Sequence, residues 1–154
     1  MKQLYNNKIK LIRALSAVLT ACVLIAIFLM SAQEGDDSNK LSTSFLSLFV
    51  WGEIDFYHML HVVVREIAHM IEYAAMSVPL FVFVSTFIEK KKPLLSLPIA
   101  FSVLYAISDE LHQYFVPGRS CEIIDVVIDS FGAICGIILT YEILKLICRK
   151  KNES

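Results

Sequence analysis

The sequence predicts an all-α fold: a polytopic membrane bundle of four transmembrane helices, forming one domain over residues 1–154 with both termini in the cytoplasm. The apolar share is 56% and the charged share 19%, against about 45–50% and about 25% in soluble domains. A soluble domain this small buries too little of its chain to hide that apolar surface, so lipid must cover it. Four long stretches are nearly free of charge. The lysines and arginines that flank them collect on one side of the membrane, as in a multi-pass protein.

The first span is expected at about residues 14–30. Ala14 to Met30 carries no charge over 17 residues, the lower edge of what crosses a bilayer. A cleaved signal peptide is the rival, but its apolar core is usually about 7–15 residues, and Met30 suits poorly the third position before a cut at Ala32. Leu19-Thr20-Ala21-Cys22 resembles a lipoprotein cleavage box, yet the apolar run continues past Cys22, so an uncleaved span is the better reading. A polar, acidic loop follows, with Glu34, Asp36, Asp37, Glu53 and Asp55, interrupted by the apolar Phe45–Trp51. That piece is too short to cross and suits the membrane interface, where Trp is enriched.

The second span is expected at about 67–88, containing His69, Glu72 and Pro79 and stopping at Glu89-Lys90-Lys91-Lys92-Pro93. The third, at about 94–115, is uncharged for only 15 residues up to Ser108. It reaches spanning length by continuing through Asp109-Glu110-Leu111-His112-Gln113-Tyr114-Phe115, before a turn at Pro117-Gly118. The fourth is expected at about 123–147, with Asp125 and Asp129 near its start and Arg149-Lys150-Lys151 at its end.

Eleven of the 14 lysines and arginines fall on one side: those before Ala14, Lys90 to Lys92, and those from Lys145 onward. The positive-inside rule puts that side in the cytoplasm and the Phe115–Glu122 turn outside. Cys22, Cys121, Cys135 and Cys148 lack CxxC spacing, which argues against a zinc ribbon or a disulfide framework. A net charge of −1 and the lack of a basic helix point away from nucleic acid.

Ionisable residues inside or beside spans are expensive and usually mark function. Arg65, His69 and Glu72 follow at i, i+4, i+7 and share a helix face, with His61 one turn earlier on the same stripe. Asp109 and Gln113 are one turn apart, with Glu110 and His112 on flanking faces. Asp125, Asp129, Gly132 and Gly136 follow at i, i+4, i+7, i+11, and the two glycines form a small-xxx-small seam. The topology brings all three polar faces to the outer ends of their helices, with Glu72 ~10 Å deeper than Arg65 and Asp129 ~6 Å deeper than Asp125. An outward-opening polar pocket is the expected result. The competing explanation is structural: His69 with Glu72, or Arg119 with Asp125, as clamps, and Glu66 and Glu122 in water at helix ends. The pocket's carboxylates outnumber its arginines, so either some are protonated or a cation completes the site. No strict metal-ligand motif is present; neither a metal set nor a cofactor is assigned.

The Ser31-Ala32-Gln33 turn, the Arg65…His69…Glu72-Tyr73 helix, and the block Asp109-Glu110-Leu111-His112-Gln113…Phe115-Val116-Pro117-Gly118-Arg119 followed by Asp125, Asp129 and Gly132 together resemble the VanZ-like proteins. These are small multi-spanning bacterial membrane proteins, named for a member associated with resistance to the glycopeptide teicoplanin. The resemblance covers about residues 13 to 145. One departure is Glu66, where such proteins often carry a lysine. The resemblance implies a place in the bacterial plasma membrane and a role at the cell envelope; resistance is a phenotype of some members and not a reaction.

Three functions follow as expectations. The first is binding or modifying an outer-leaflet phospholipid, lipid-linked cell-wall precursor or glycopeptide, with an effect on glycopeptide susceptibility. Arg65 and Arg119 would hold phosphate, Gln113 and Asp125 would add ligand contacts, and Glu72, Asp109, Glu110 and Asp129 would supply acid/base or cation contacts. The second is a membrane enzyme on such a lipid with His69 or a carboxylate as general base, for which His69, Glu72, Asp109 and Glu110 are the catalytic candidates. The third is an ion- or proton-coupled carrier using the buried carboxylates as a relay, which four spans without a repeat would support only as a homo-oligomer.

Overall fold

A computed structural model describes residues 2–33, 54–119 and 121–153. Among the described residues there are four helices and no strand: α1 Lys2–Ser31, α2 Ile54–Ser85, α3 Lys91–Gln113 and α4 Ile123–Glu153. All four are long and apolar enough to cross a membrane, over Asn6–Ser31, Val63–Ser85, Lys91–Gln113 and Ile123–Arg149. The Phe45–Trp51 segment and the acidic residues Glu34, Asp36, Asp37 and Glu53 lie outside the described residues. So does the side chain of His61, although its backbone belongs to α2.

The helices are built for lipid. Leu15, Leu19 and Leu29 on α1, Leu104 and Leu111 on α3, and Ile138, Leu139 and Leu146 on α4 are all exposed. Each such side chain favours an apolar surrounding over water by about 1.5–3 kcal/mol. The interior is correspondingly small and mixed: Ile27, Tyr73, Met76, Leu80, Ala106 and Ala133 form the buried cluster, while Ser77, Ser102, Asp109, Glu110, Gln113 and Asp129 are also buried. The outside is greasier than parts of the inside, the reverse of a water-soluble bundle.

α2 and α4 run parallel, in close contact. Added Cβ atoms at Gly132 and Gly136 would strike the Met70 carbonyl and the Ala74 carbonyl with the Ser77 hydroxyl, respectively. The glycine seam therefore lets two backbones touch. Its register, Gly132 beside Met70 and Gly136 beside Ala74, sets Asp125 within about one turn of Glu66 on α2. α1 and α3 run the opposite way. Arg13 of α1 bonds Thr86 just past the end of α2, and Ser31 at the other end of α1 bonds Asp109 near the end of α3.

The third helix stops two residues earlier than the sequence led us to expect. Tyr114 donates its N–H to the Glu110 carbonyl, and Phe115 and Val116 then form tight i−3 bonds to His112 and Gln113. Pro117 disfavours helical geometry at the residue before it, and Gly118 takes φ 76°, a left-handed conformation that glycine adopts without a Cβ clash. The turn folds Arg119 back over the helix ends. At the opposite end, Pro93 sits in the first turn of α3, where its missing N–H removes no helical bond.

Candidate functional site

The site grows from Asp109. Both flanking elements donate to its Oδ2: the Ser31 hydroxyl from the end of α1 at 2.8 Å, and Gln113 Nε2 from one turn further along α3 at 3.2 Å. The Gln113 amide oxygen accepts from Arg119 Nη1 at 2.9 Å. Arg119 also donates from Nε to the Gln33 carbonyl and from Nη2 to the Met30 carbonyl. The chain Ser31–Asp109–Gln113–Arg119 thus ties the end of α1, the end of α3 and the following turn into one polar unit. Asp109 and Gln113 lie buried in it, at 3% and 4% exposure.

Glu110, next in sequence, points about 100° around the helix and serves a different neighbour. Its Oε2 accepts the backbone N–H of Glu122 at 2.9 Å, fixing the start of α4 against the end of α3. Asp129, 1% exposed, and Asp125 enter from α4. From α2 come His69, Glu72 and the fully buried Tyr73. His69 Nδ1 lies 3.8 Å from Glu72 Oε2, too far for a hydrogen bond.

The arginines differ in kind. Arg65 forms an ion pair with its own neighbour Glu66 at 3.0 Å, so its charge is locally compensated, and the other Glu66 oxygen, Oε2, is buried. Glu66 is therefore part of the cluster and not a water-exposed helix end. Arg119 is held by neutral oxygens. Burial pushes its guanidinium below the ordinary value, Arg65 pushes the same way, and Asp109, Glu110 and Glu72 pull it back up. An arginine stays charged through such a shift, which leaves Arg119 as a fixed cation at the rim.

Among the described residues, several buried polar atoms have no hydrogen-bond partner. These are Glu66 Oε2, His69 Nδ1, Glu72 Oε2, Tyr73 OH, Asp109 Oδ1, His112 Nε2 and Asp129 Oδ1. Native proteins pair nearly all such atoms, and each one left unpaired costs about 1–3 kcal/mol. Among the described residues, no three His, Cys, Asp or Glu side chains stand in metal-holding geometry.

A family model described as VanZ/LLP1 matches residues 16–146. The chain belongs to the VanZ/LLP1 family. No curated protein and no solved structure matches it. Family membership and the four apolar helices together make it a multi-pass membrane protein. The VanZ/LLP1 match takes in every residue of the cluster. The sequence brought forward Asp109, Glu110, Gln113, Arg119, Asp125, Asp129, His69 and Glu72, and the fold collects them at the end of the bundle where α1 and α3 finish. His112 turns away toward α1 and stacks on Phe28, with ring centroids 4.4 Å apart. Besides Glu66, two members of the cluster were not among the candidates. Ser31 is a small polar residue closing an apolar span, within the turn that carried the resemblance. Tyr73 follows Glu72, and only its complete burial with a bare hydroxyl distinguishes it from an ordinary core aromatic.

Proposed function

We propose that this VanZ/LLP1 chain is a binding or modifying protein of the bacterial cell envelope, acting on an outer-leaflet phospholipid or lipid-linked cell-wall precursor at the Asp109–Arg119 cluster. The observation that carries this reading is the set of unsatisfied buried polar atoms beneath a fixed arginine. Arg119 already spends Nε, Nη1 and Nη2 on protein oxygens, but a guanidinium presents five N–H donors, so it can hold a phosphate oxygen without releasing its anchors. Beneath it, Asp109, Glu72, Tyr73 and Asp129 offer acceptors and a hydroxyl suited to hydroxyls or an amine of a headgroup. The bundle end that holds the cluster is the one the lysine distribution assigns to the outside, and the lipid tail would remain in the bilayer against the apolar helix faces. An effect on glycopeptide susceptibility would follow from handling such a precursor.

Modification in place of binding alone is favoured by one observation: His69 carries a buried Nδ1 without a hydrogen-bond partner, a ring nitrogen available to a substrate proton as a general base would be. The discriminating experiment is native mass spectrometry of the purified protein incubated with a long-chain polyprenyl phosphate. The parent should retain the lipid, and Arg119→Gln should retain it about tenfold less, since a charge-assisted contact to phosphate is lost. Conversion of the lipid to a product of different mass would establish the enzyme reading. Equal retention by parent and Arg119→Gln would contradict the phosphate assignment.

A further inference from the structure

An apolar groove opens between α1, α2 and α3. α1 and α3 meet at Ser31 and Asp109, and further along them a groove of about 550 Å³ has an almost wholly apolar lining, including Ala17, Ala21, Leu24, Pro98, Phe101 and Leu104. Its α3 wall, Leu97 to Leu104, is ~10 Å long. One turn beyond its lower edge the chemistry changes. Past Phe83, Val84 and Leu97 of the groove come Phe87, Ile88 and Pro93, which line a smaller pocket of about 390 Å³ with Glu89 and Lys90. Arg13, one turn before Ala17, is clamped over the Phe87 ring at 3.7 Å and bonded to Thr86. Lys10, Lys90 and Lys92 are exposed, and among the described residues no ion pair engages them. Glu89 is the one acidic member of this pocket's lining.

We propose that this groove and its basic rim bind an anionic phospholipid, one acyl chain lying along Ala21 and Leu104 and the headgroup phosphate held by Lys90 and Lys92 beside the fixed charge of Arg13. Charge complementarity selects the occupant. The rim is cationic where a headgroup would lie, at the depth where basic residues between transmembrane helices recognise anionic lipid. The lysine distribution places this lipid in the cytoplasmic leaflet, away from the Asp109–Arg119 cluster, so the two assignments stand or fall separately.

The test is native mass spectrometry of detergent-purified protein offered dioleoyl phosphatidylglycerol or the matching phosphatidylcholine. The parent should retain phosphatidylglycerol at least about fivefold better, the factor expected of one rim charge near a headgroup. Ala21→Phe, which fills the groove from an open wall, should lower retention of both lipids at least about fivefold with the protein still monodisperse. The exposed pair Lys90→Gln with Lys92→Gln should erase the preference and leave phosphatidylcholine retention as it was. The proposal is overturned if the parent shows no preference, if Ala21→Phe retains phosphatidylglycerol like the parent, or if the lysine variant keeps the preference. It is equally overturned if Ala21→Phe changes the oligomeric mass and not the lipid, which would make the groove a contact between copies.

Discussion

Arg119 reaches three segments at once: the Gln113 side chain on α3 and the carbonyls of Met30 and Gln33 at the end of α1. A lysine carries the same charge but directs it as a point, and cannot span oxygens that far apart. Arg119→Lys is therefore expected to lose about 1–3 kcal/mol of stability through broken charge-assisted bonds. It should also raise backbone amide exchange at Val116–Arg119, which hydrogen-exchange mass spectrometry would detect; unchanged protection would show that Arg119 does not hold the turn. Much of this chemistry was legible in the residues themselves, because an Asp-Glu pair, a Gln and an Arg around Pro-Gly are too polar for a span's end without a shared purpose. The partners were not. Spacing puts Arg65 on the His69–Glu72 stripe, but the guanidinium turns to the adjacent Glu66, a choice made by local geometry that periodicity does not encode. Ser31 and Tyr73 stayed hidden because serine and tyrosine are ordinary in apolar helices until their surroundings are known.

At the scale of elements, α2 and α4 depend on the glycine seam, and glycine gives the test its sign. In an exposed helix, Gly→Ala stabilises by roughly 0.5–1 kcal/mol. At Gly132 the added methyl would strike the Met70 backbone carbonyl, which cannot swing aside as a side chain does. Gly132→Ala should thus destabilise the fold, by about 1–3 kcal/mol as overpacking generally does, with a matching fall in the thermal midpoint in detergent. A rise would mean the helices are not in contact there. The seam, the four spans and the Pro117-Gly118 turn could be read in advance, since charge-free length and small-residue spacing are properties of the chain alone. Helix ends were less accessible: α1 and α2 run well outside the apolar stretches, as Lys2 and Ile54 show, because a helix continues into water as long as its backbone bonds are met, whereas hydropathy marks only the part facing hydrocarbon.

The whole molecule places two unlike ends on one bundle, an acidic cluster capped by Arg119 and a basic rim around Arg13 and Lys90. By the positive-inside rule we propose the first end outside and the second in the cytoplasm. Reporter fusions after Lys92 and Ser154 should accordingly report cytoplasm, and one after Pro117 the exterior; a cytoplasmic signal at Pro117 would invert the bundle and remove the outer-leaflet ligand from reach. The central claim is that the Asp109 cluster is a ligand site and not a clamp. Its most direct measurement is the thermal unfolding of the parent and of Asp109→Asn in detergent, each with and without a long-chain polyprenyl phosphate. Ligand that binds only the folded state raises its stability by about 2.7 kcal/mol at a hundredfold excess over Kd, so the parent's midpoint should rise. Asp109→Asn keeps the size of the side chain and an oxygen for Ser31 and Gln113, so its midpoint without ligand should match the parent's, and the rise on adding ligand should vanish. A lowered midpoint, reflecting the several kcal/mol of stability typically lost with a broken buried pair, with the ligand's effect intact, would contradict the account and make Asp109 a structural post.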